Sequence, residues 1–497
     1  MDTRINSKAT PFFALIFGAA MPYAFAPYHF WWLGFVALAA WLYLLLKHPQ
    51  QWFKLGLAFG FGWFGFGAWW LADTLQIYGH LPYALGLLSI TILGLIMGMF
   101  FVAWAWVLQA LLRQQHQALW LFPALGVLVE WVRSFLFTGL PWTALANLSS
   151  NTAIASWISI MGSYGAAFII LLMASSLTLL FDANTRKHAL ISASMCALFW
   201  LFSPTIPLPE HPTHTAALIQ PNIPQDQKWD TNFLNHTMQT LTTLSAQAAN
   251  TQKLDLIIWP EAAVPFYLSR SPSWNHWLTT QMQSWQTPVI FGGIKLLDSG
   301  KSQNGLFLEH GDATRQFVGK HHLVPFGEYV PSWLPWLSKL VPDIGDFEPA
   351  TDQGMLTLGS QTIGSIICYE SIFPDEVRHR VRQGANVLVV VTNDAWYDTS
   401  PAAWQHLQAS QIRAIESGRY ILRATNTGIS AIIAPDGSIQ NTMPWWQKGI
   451  VIGHYQPLSH ITLYQQWGDT PILTLVFFLL ILGGYQRWQH QRKRSFI

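Results

Sequence analysis

The chain has 497 residues, of which 51% are hydrophobic, 14% aromatic and only 10% charged, where soluble domains carry about a quarter charged residues. A formal charge of +2, carried in short basic clusters beside apolar runs, excludes a nucleic-acid-binding face. The missing charge is uneven: residues 1–204 are nearly all apolar, whereas 213–460 read as an ordinary globular domain, so one chain faces two solvents.

Crossing a bilayer as helix takes about 20 apolar residues, and seven such runs precede the globular part, near 11–28, 30–46, 55–76, 84–112, 119–137, 154–181 and 187–203. An eighth follows at 470–486 and leads into a basic tail. Glu130 and Arg133 interrupt the fifth run near its end, and dropping it would reverse the sidedness of everything downstream. Lys and Arg in short loops mark the cytoplasmic side. Arg4 and Lys8, Lys47 and Lys54, Arg113, Arg186 and Lys187, and the tail residues Arg487, Arg492, Lys493 and Arg494 all fall on one side only with eight spans. The loops at 26–30 and 73–82 carry no Lys or Arg. Both termini are therefore expected in the cytoplasm and the globular domain outside it. The first run lacks a small-residue cleavage site and reads as a retained anchor. Gly56, Gly60, Gly62, Gly65 and Gly67 are spaced for close helix approach.

In the globular part, apolar β-rich runs occur at 216–220, 254–259, 289–292, 305–308, 316–318, 355–358, 362–367, 387–391, 421–424 and 429–433. Helical patterns lie between them at 231–250, 274–285, 373–383 and 402–417. Buried strands flanked by helices predict a layered α/β domain. No sequence repeat is visible.

Cys368 is the one cysteine outside the apolar runs and sits where a strand breaks into Cys368-Tyr369-Glu370-Ser371. A lone thiol at a strand end is a candidate nucleophile, and with a pKa of about 8.5 it needs activation. A carboxylate in Trp259-Pro260-Glu261 could take its proton and the ammonium of Gly319-Lys320-His321-His322 could favour the thiolate. Each alone has an ordinary structural reading: a small buried hydrophobe, a strand terminator, a surface lysine. In this order the three point to acyl chemistry. Adjacent His321 and His322 diverge and lack a ligand set, so no metal is expected. No phosphate-binding glycine loop is present, and no cofactor is expected.

The three motifs, in this order, resemble those of the nitrilase (carbon–nitrogen hydrolase) superfamily. With seven apolar runs before the domain and one after, and with the segments 320–331 and Asn393-Asp394-Ala395-Trp396-Tyr397, the chain resembles the apolipoprotein N-acyltransferase branch over essentially its whole length. The resemblance implies an αββα sandwich at 213–460 carried by eight transmembrane helices, seven within 1–204 and one within 469–497, in the bacterial inner membrane with the catalytic domain periplasmic. It implies acyl transfer from a phospholipid, typically phosphatidylethanolamine, through a Cys thioester to the α-amine of a diacylglyceryl-cysteine apolipoprotein. Carried over by residue, Cys368 is the nucleophile, Glu261 the general base and Lys320 the oxyanion stabiliser, with the Tyr369 N–H as second donor. Glu328, Glu370 and Trp229 match further site residues, Trp229 on a loop near the acyl site. Trp229 also reads as a structural anchor and Glu370 as a salt-bridge or capping residue. Where the family continues with glycine after Trp396-Tyr397, this chain has Asp398, which puts the path of that loop in question.

A phospholipid ester lies at the headgroup boundary, so the domain has to be held against the outer leaflet, with 204–214 and 459–469 as tethers. The apolar segment 329–337 has the composition of an arm dipping into the interface or of a loop packed on the domain. A membrane-anchored amidase with the same triad and a non-catalytic scaffold are the rival readings.

Overall fold

Apolar sequence in the first two hundred residues becomes helix with few interruptions. In the computed structural model, which describes residues 8–310, 314–332 and 345–495, the chain divides into two units, Met1–Thr205 with Gln466–Ile497, and Ile206–Gln465. The first unit contains helices Thr10–Ala20, Trp31–Lys47, Trp52–Gly67, Trp70–Ile77, Tyr83–Leu111, Ala118–Arg133, Ile158–Leu179, Arg186–Leu201 and Thr470–Ser495.

Three helical stretches among the described residues, Tyr83–Leu111, Ala153–Leu179 and Thr470–Arg492, are long and apolar enough to cross a membrane. Trp31–Lys47 and Pro49–Gly67 pass that test only together and are bent by 112°. The other apolar segments are helical but short: at 1.5 Å per residue, a 16-residue helix such as Ala118–Arg133 spans about 24 Å, under the ~30 Å of hydrocarbon. The expected span at 55–76 breaks at Ala68 and Trp69, after Gly65-Phe66-Gly67, where helix propensity is lowest.

The glycines of Trp52–Gly67 set its packing. A Cβ on Gly62 would lie 2.4 Å from the Leu15 carbonyl oxygen, and one on Gly60 would lie 2.7 Å from Gly98 Cα, so helices on two sides approach as closely as backbone allows. Gly65 lies at the same seam, since a Cβ on Gly94 of the neighbouring helix would stand 3.3 Å from Gly65 Cα. Glu130 and Arg133 are buried and paired. Arg133 also donates to the carbonyls of Leu140 and Trp142 at 3.0 and 2.8 Å, and Glu130 accepts from Leu145 N at 3.0 Å. The charges that interrupt the fifth apolar run thus fasten the segment that follows it, and each is hydrogen-bonded as a buried ion must be.

Among the described residues, the second unit is built on twelve strands. β1 (His214–Gln220), β2 (Leu256–Ile258), β3 (Val289–Leu296), β4 (Ser302–Glu309), β5 (Arg315–Gly319) and β12 (Gly449–Tyr455) form one sheet in the order β12-β1-β2-β3-β4-β5. β6 (Met355–Leu358), β7 (Gln361–Ile367), β8 (Val387–Thr392), β9 (Ile421–Thr425), β10 (Ser430–Ile433) and β11 (Ile439–Met443) form the other in the order β11-β10-β9-β8-β7-β6. From β12 to β5 the pairings run antiparallel, parallel, parallel, antiparallel, antiparallel, and from β6 to β11 they run the same way. The two halves of the domain repeat one strand pattern that their sequences do not show.

Strand alternation sorts the core. Leu218, Ile258, Ile290 and Leu306 of the first sheet pack against Ile363, Val389, Val391 and Leu422 of the second. The opposite faces are covered by helices: Leu234–Thr251 and Pro272–Trp285 meet Ala217, Ile257 and Phe291, while Pro374–Arg382 and Ala402–Ser417 meet Ile366, Val390 and Ala431. The layers are helix, sheet, sheet, helix, the αββα sandwich expected for this part of the chain.

Candidate active site

The three sequence motifs meet where strand ends of the two sheets face each other. Glu261 follows β2 on a tight turn in which Ala262 has φ 46°. A side chain at Gly292 on β3 would place its Cβ 2.4 Å from both Ala262 N and the Pro260 carbonyl oxygen, so glycine there lets the turn rest on the sheet. The Lys228 ammonium donates to the Glu261 carbonyl at 2.9 Å and holds the turn from the other side. The Glu261 carboxylate accepts from Asn304 Nδ2 at 2.8 Å on Oε1 and from the Asn393 backbone N–H at 2.9 Å on Oε2.

Lys320, directly after β5, is 1% exposed. Its N–H donates to Asn304 O and its carbonyl accepts from Ala350 N, each at 2.8 Å, so its backbone is fixed on both sides. Its Nζ lies 2.8 Å from Glu328 Oε2, 2.9 Å from Glu328 Oε1 and 3.5 Å from Glu261 Oε1. Asn304 Nδ2 also reaches Glu328 Oε1 at 3.2 Å, so one amide and one ammonium bridge the two carboxylates. Burial works to lower the Lys320 pKa, but Glu328, Glu261 and Cys368 together raise it above its ordinary value.

Cys368 ends β7 with φ 53°, a left-handed conformation at a non-glycine residue. Its charged neighbours are Glu261, Lys320 and Asp394. The Lys320 ammonium acts on the Cys368 thiol in the direction that favours the thiolate. Burial, and next to it the Glu261 charge, push the thiol pKa up, and the Lys320 contribution does not offset them. Burial and the Glu261 charge thus favour the protonated thiol over the thiolate.

Glu370 is fully buried below this centre. Its Oε1 accepts from His321 N at 2.7 Å and His322 N at 3.1 Å, and its Oε2 from Ile367 N at 2.7 Å. It ties the lysine segment to the nucleophile strand, and Arg380 stands 3.4 Å away as counter-ion. The capping and salt-bridge reading therefore describes Glu370. Glu370→Ala is expected to destabilise the domain by about 3–5 kcal/mol, as losing one partner of a buried ion pair does, and a fall in the thermal unfolding midpoint of the purified protein in detergent checks this.

Tyr369 stacks edge-on against Phe373 at 5.0 Å. Trp229 is 48% exposed, and its neighbour Lys228 rather than its indole reaches the base. His321 and His322 turn to different carboxylates, Asp352 at 3.1 Å and Glu376 at 3.7 Å. Asp398 keeps a positive φ of 44°, and its carbonyl accepts from Trp446 Nε1 at 3.2 Å, so the loop retains the turn that glycine would favour. In the expected interfacial arm, residues 333–337 lie outside the described residues.

Sequence reasoning missed Asn304 and Lys228. Asn304 lies in the polar start of β4, Ser302-Gln303-Asn304, before the apolar run 306–308, so its sequence context carried no signal. Lys228 is buried beside Trp229, and burial, the largest influence, brings its pKa down to about 8 although Glu261 and Cys368 act the other way.

Residues 215–461 match the carbon-nitrogen hydrolase family and residues 17–176 match the apolipoprotein N-acyltransferase N-terminal domain. The apolipoprotein N-acyltransferase of Nitrosomonas europaea is 31% identical over 503 residues, covering 97% of this chain and 98% of that protein. That of Chromobacterium violaceum is 32% identical over 493 residues, covering 96% and 94%. Among solved structures, an amidase of the nitrilase superfamily from Nesterenkonia aligns with a TM-score of 0.41 at 15% identity, over 53% of this chain and 97% of its own.

Proposed function

The chain belongs to the apolipoprotein N-acyltransferase family, and from that premise we propose that it transfers a fatty acyl chain from a membrane phospholipid, through a thioester on Cys368, to the α-amine of a diacylglyceryl-cysteine lipoprotein. The observation that carries this reading is the buried cluster of Glu261, Lys320 and Cys368, with Lys320 2.8 Å from Glu328 and 3.5 Å from Glu261.

In the first half-reaction the Cys368 sulfur attacks the donor ester carbonyl while its proton passes to the Glu261 carboxylate. Asn304 and the Asn393 N–H hold that carboxylate in place, and the elevated thiol pKa makes the transfer necessary. Lys320 Nζ and the Tyr369 N–H stabilise the tetrahedral oxyanion. Collapse breaks the C–O bond, Glu261 returns the proton to the departing lysophospholipid oxygen, and the thioester remains. In the second half-reaction the acceptor α-amine, partly neutral near pH 7 with a pKa of about 7.7–8.0, attacks the thioester. Glu261 takes its proton, the C–S bond breaks, and the proton goes to the sulfur as the amide is released. Glu328 keeps Lys320 aimed between the two carboxylates, and Trp229 flanks the acyl path. No cofactor enters either step.

The membrane frame has eight spans, with both termini cytoplasmic and the catalytic domain periplasmic in the bacterial inner membrane. Helix in each of the eight apolar segments supports this, as does the one-sided placement of Lys and Arg.

Intact-mass analysis of the purified protein incubated with phosphatidylethanolamine tests the reading. An added acyl mass is expected, removed by hydroxylamine and discharged by a diacylglyceryl-cysteine peptide with lysophospholipid as co-product. An adduct that water discharges and the peptide does not would sink the transferase in favour of a hydrolase.

A further inference from the structure

The backbone carbonyl of Cys368 is held by a buried polar network that neither half-reaction uses. The Ser371 hydroxyl donates to it at 2.9 Å, and His406 Nε2 lies 3.0 Å from it and 2.7 Å from Ser371 Oγ. On its other edge the His406 ring presents Nδ1 to Asp394 Oδ1 at 2.9 Å. Asp394 Oδ1 also accepts from the Thr392 hydroxyl at 2.8 Å, and Oδ2 accepts from Arg423 Nη2 at 2.9 Å. The turn after β7, the end of β8, β9 and the helix Ala402–Ser417 each supply a member, and all of these side chains are at most 1% exposed.

The acceptors decide the direction of each bond. A carbonyl oxygen can only accept, and so can an ionised carboxylate. Burial works to raise the Asp394 pKa, but Arg423 and His406 outweigh it and hold the group below its ordinary value. Ser371 gives its single proton to the Cys368 carbonyl, so its oxygen is left to accept from Nε2. Nδ1 and Nε2 therefore both face acceptors, and the ring that satisfies all of these contacts carries both protons. As an imidazolium it is a charge-assisted donor to the Cys368 carbonyl, with Asp394 as its counter-ion.

That carbonyl shares a peptide with the Tyr369 N–H. The unit is planar and trans, so its C=O and N–H point in opposite directions, and donors that fix one fix the other. Donation to the oxygen also draws electron density toward it and leaves the N–H a stronger donor, since linked hydrogen bonds in a buried site reinforce one another. We propose that His406 and Ser371 are positioning residues of the oxyanion hole, holding and polarising the Cys368–Tyr369 peptide so that its N–H meets the tetrahedral oxyanion as a strong, fixed donor. Asp394 and Arg423 keep the His406 ring aimed. Neither His406 nor Ser371 touches the substrate, and neither gives up a proton in either half-reaction. The inference rests on the acyl-transfer reading, in which Cys368 carries the acyl group.

The test compares two reactions of one sulfur in the purified full-length protein. Single-turnover acylation by phosphatidylethanolamine forms an oxyanion, whereas alkylation by iodoacetamide, read at the Cys368 peptide, displaces iodide from a saturated carbon and forms none. Both need the thiolate, so the ratio of the two rates cancels a change in its supply. The ratio is expected to fall about 10–100-fold in His406→Leu, short of the loss that follows removal of a whole oxyanion donor, and about 3–10-fold in Ser371→Ala, which leaves the Asp394 ion pairs in place. His406→Gln keeps an N–H donor and should stay within about fivefold of wild type. KM for phosphatidylethanolamine should not move. Acylation and alkylation falling together, at an unchanged ratio, would show that the network only places the sulfur and would overturn the proposal; if His406→Leu does not fold, Ser371→Ala decides this alone. The ester p-nitrophenyl decanoate, which can acylate a thiol without a lipid headgroup, separates this result from the donor reading. The same fall in ratio with that ester, in a protein that takes no acyl chain from phosphatidylethanolamine, would leave the oxyanion role standing and remove the phospholipid donor instead. No adduct from either donor would overturn both.

Discussion

Replacing Lys320 with methionine is expected to lower acyl-enzyme formation by about 10²–10³-fold or more, the loss that follows removal of one oxyanion donor, with the protein still folded. Methionine keeps the length of the stem in a site that is 1% exposed, so the change is mainly one of charge. The loss has a second source. Lys320 stands between Glu261 and Glu328, which also share the Asn304 amide. Without the ammonium the two carboxylates repel, and a proton held on Glu261 would disable the base. Adding Glu328→Gln to Lys320→Met removes that repulsion and is expected to recover part of the rate, while Glu328→Gln alone lowers it. Single-turnover acylation of the four proteins closes this cycle, and strict additivity would show that Glu328 does not act through Lys320. Arginine is not expected to rescue, since a planar fork does not replace a compact ammonium between two carboxylates. The sign of the pH effect follows from the raised Lys320 pKa. A lysine held above its unfolded value of about 10.4 is fully charged at lower pH, and its stabilising contribution is lost only as pH rises through the folded-state value. A limb in the activity profile near pH 8 therefore does not come from Lys320, whereas Lys228, brought down to about 8 by burial, titrates there.

What could be read in the sequence follows from how local each feature is. The helices Pro272–Trp285 and Ala402–Ser417 and the strands around Val387 and Ile421 carry their periodicity within themselves and were legible. β11 was not, because Ile439-Gln440-Asn441-Thr442-Met443 is an exposed edge strand whose polar residues give no apolar signal. β12 begins with one glycine and is interrupted by another, which weakens a strand pattern even though its register with β1 extends over seven residues. Glu261, Lys320 and Cys368 were visible because each directly follows its strand or lies within three residues of it. Asn304 and Lys228 were not, because their roles depend on which loops the two sheets bring face to face. The net effect on the thiol was not legible for the same reason: a neighbouring lysine is visible in a motif, whereas complete burial and a facing carboxylate are properties of the assembled fold. In the membrane unit, composition located the apolar segments but not their helical lengths, since Gly65 and Gly67 end a helix inside one continuous apolar run.

Cys368→Ala and Cys368→Gly are both expected to abolish the hydroxylamine-labile adduct, and their stabilities should differ in the direction opposite to the usual ranking. At an ordinary helix or strand position alanine is the more stable of the two. At φ 53° the alanine Cβ stays in the left-handed region, whereas glycine occupies that region without strain. Cys368→Gly should therefore exceed Cys368→Ala by about 1 kcal/mol, seen as a higher thermal midpoint. An alanine variant at least as stable as the glycine variant would show that the backbone there stores no strain. The strain has a use. The left-handed residue ends β7 and starts the short turn Cys368–Ile372, which puts the sulfur in the field of Glu261 and Lys320 instead of in register with the sheet. Two buried anchors hold the conformation. Glu370 takes the Ile367 N–H just before it, and Ser371 and His406 converge on the Cys368 carbonyl. A stable glycine would satisfy the backbone at this position, but only a side chain held at positive φ delivers a thiol to the carboxylate that must deprotonate it.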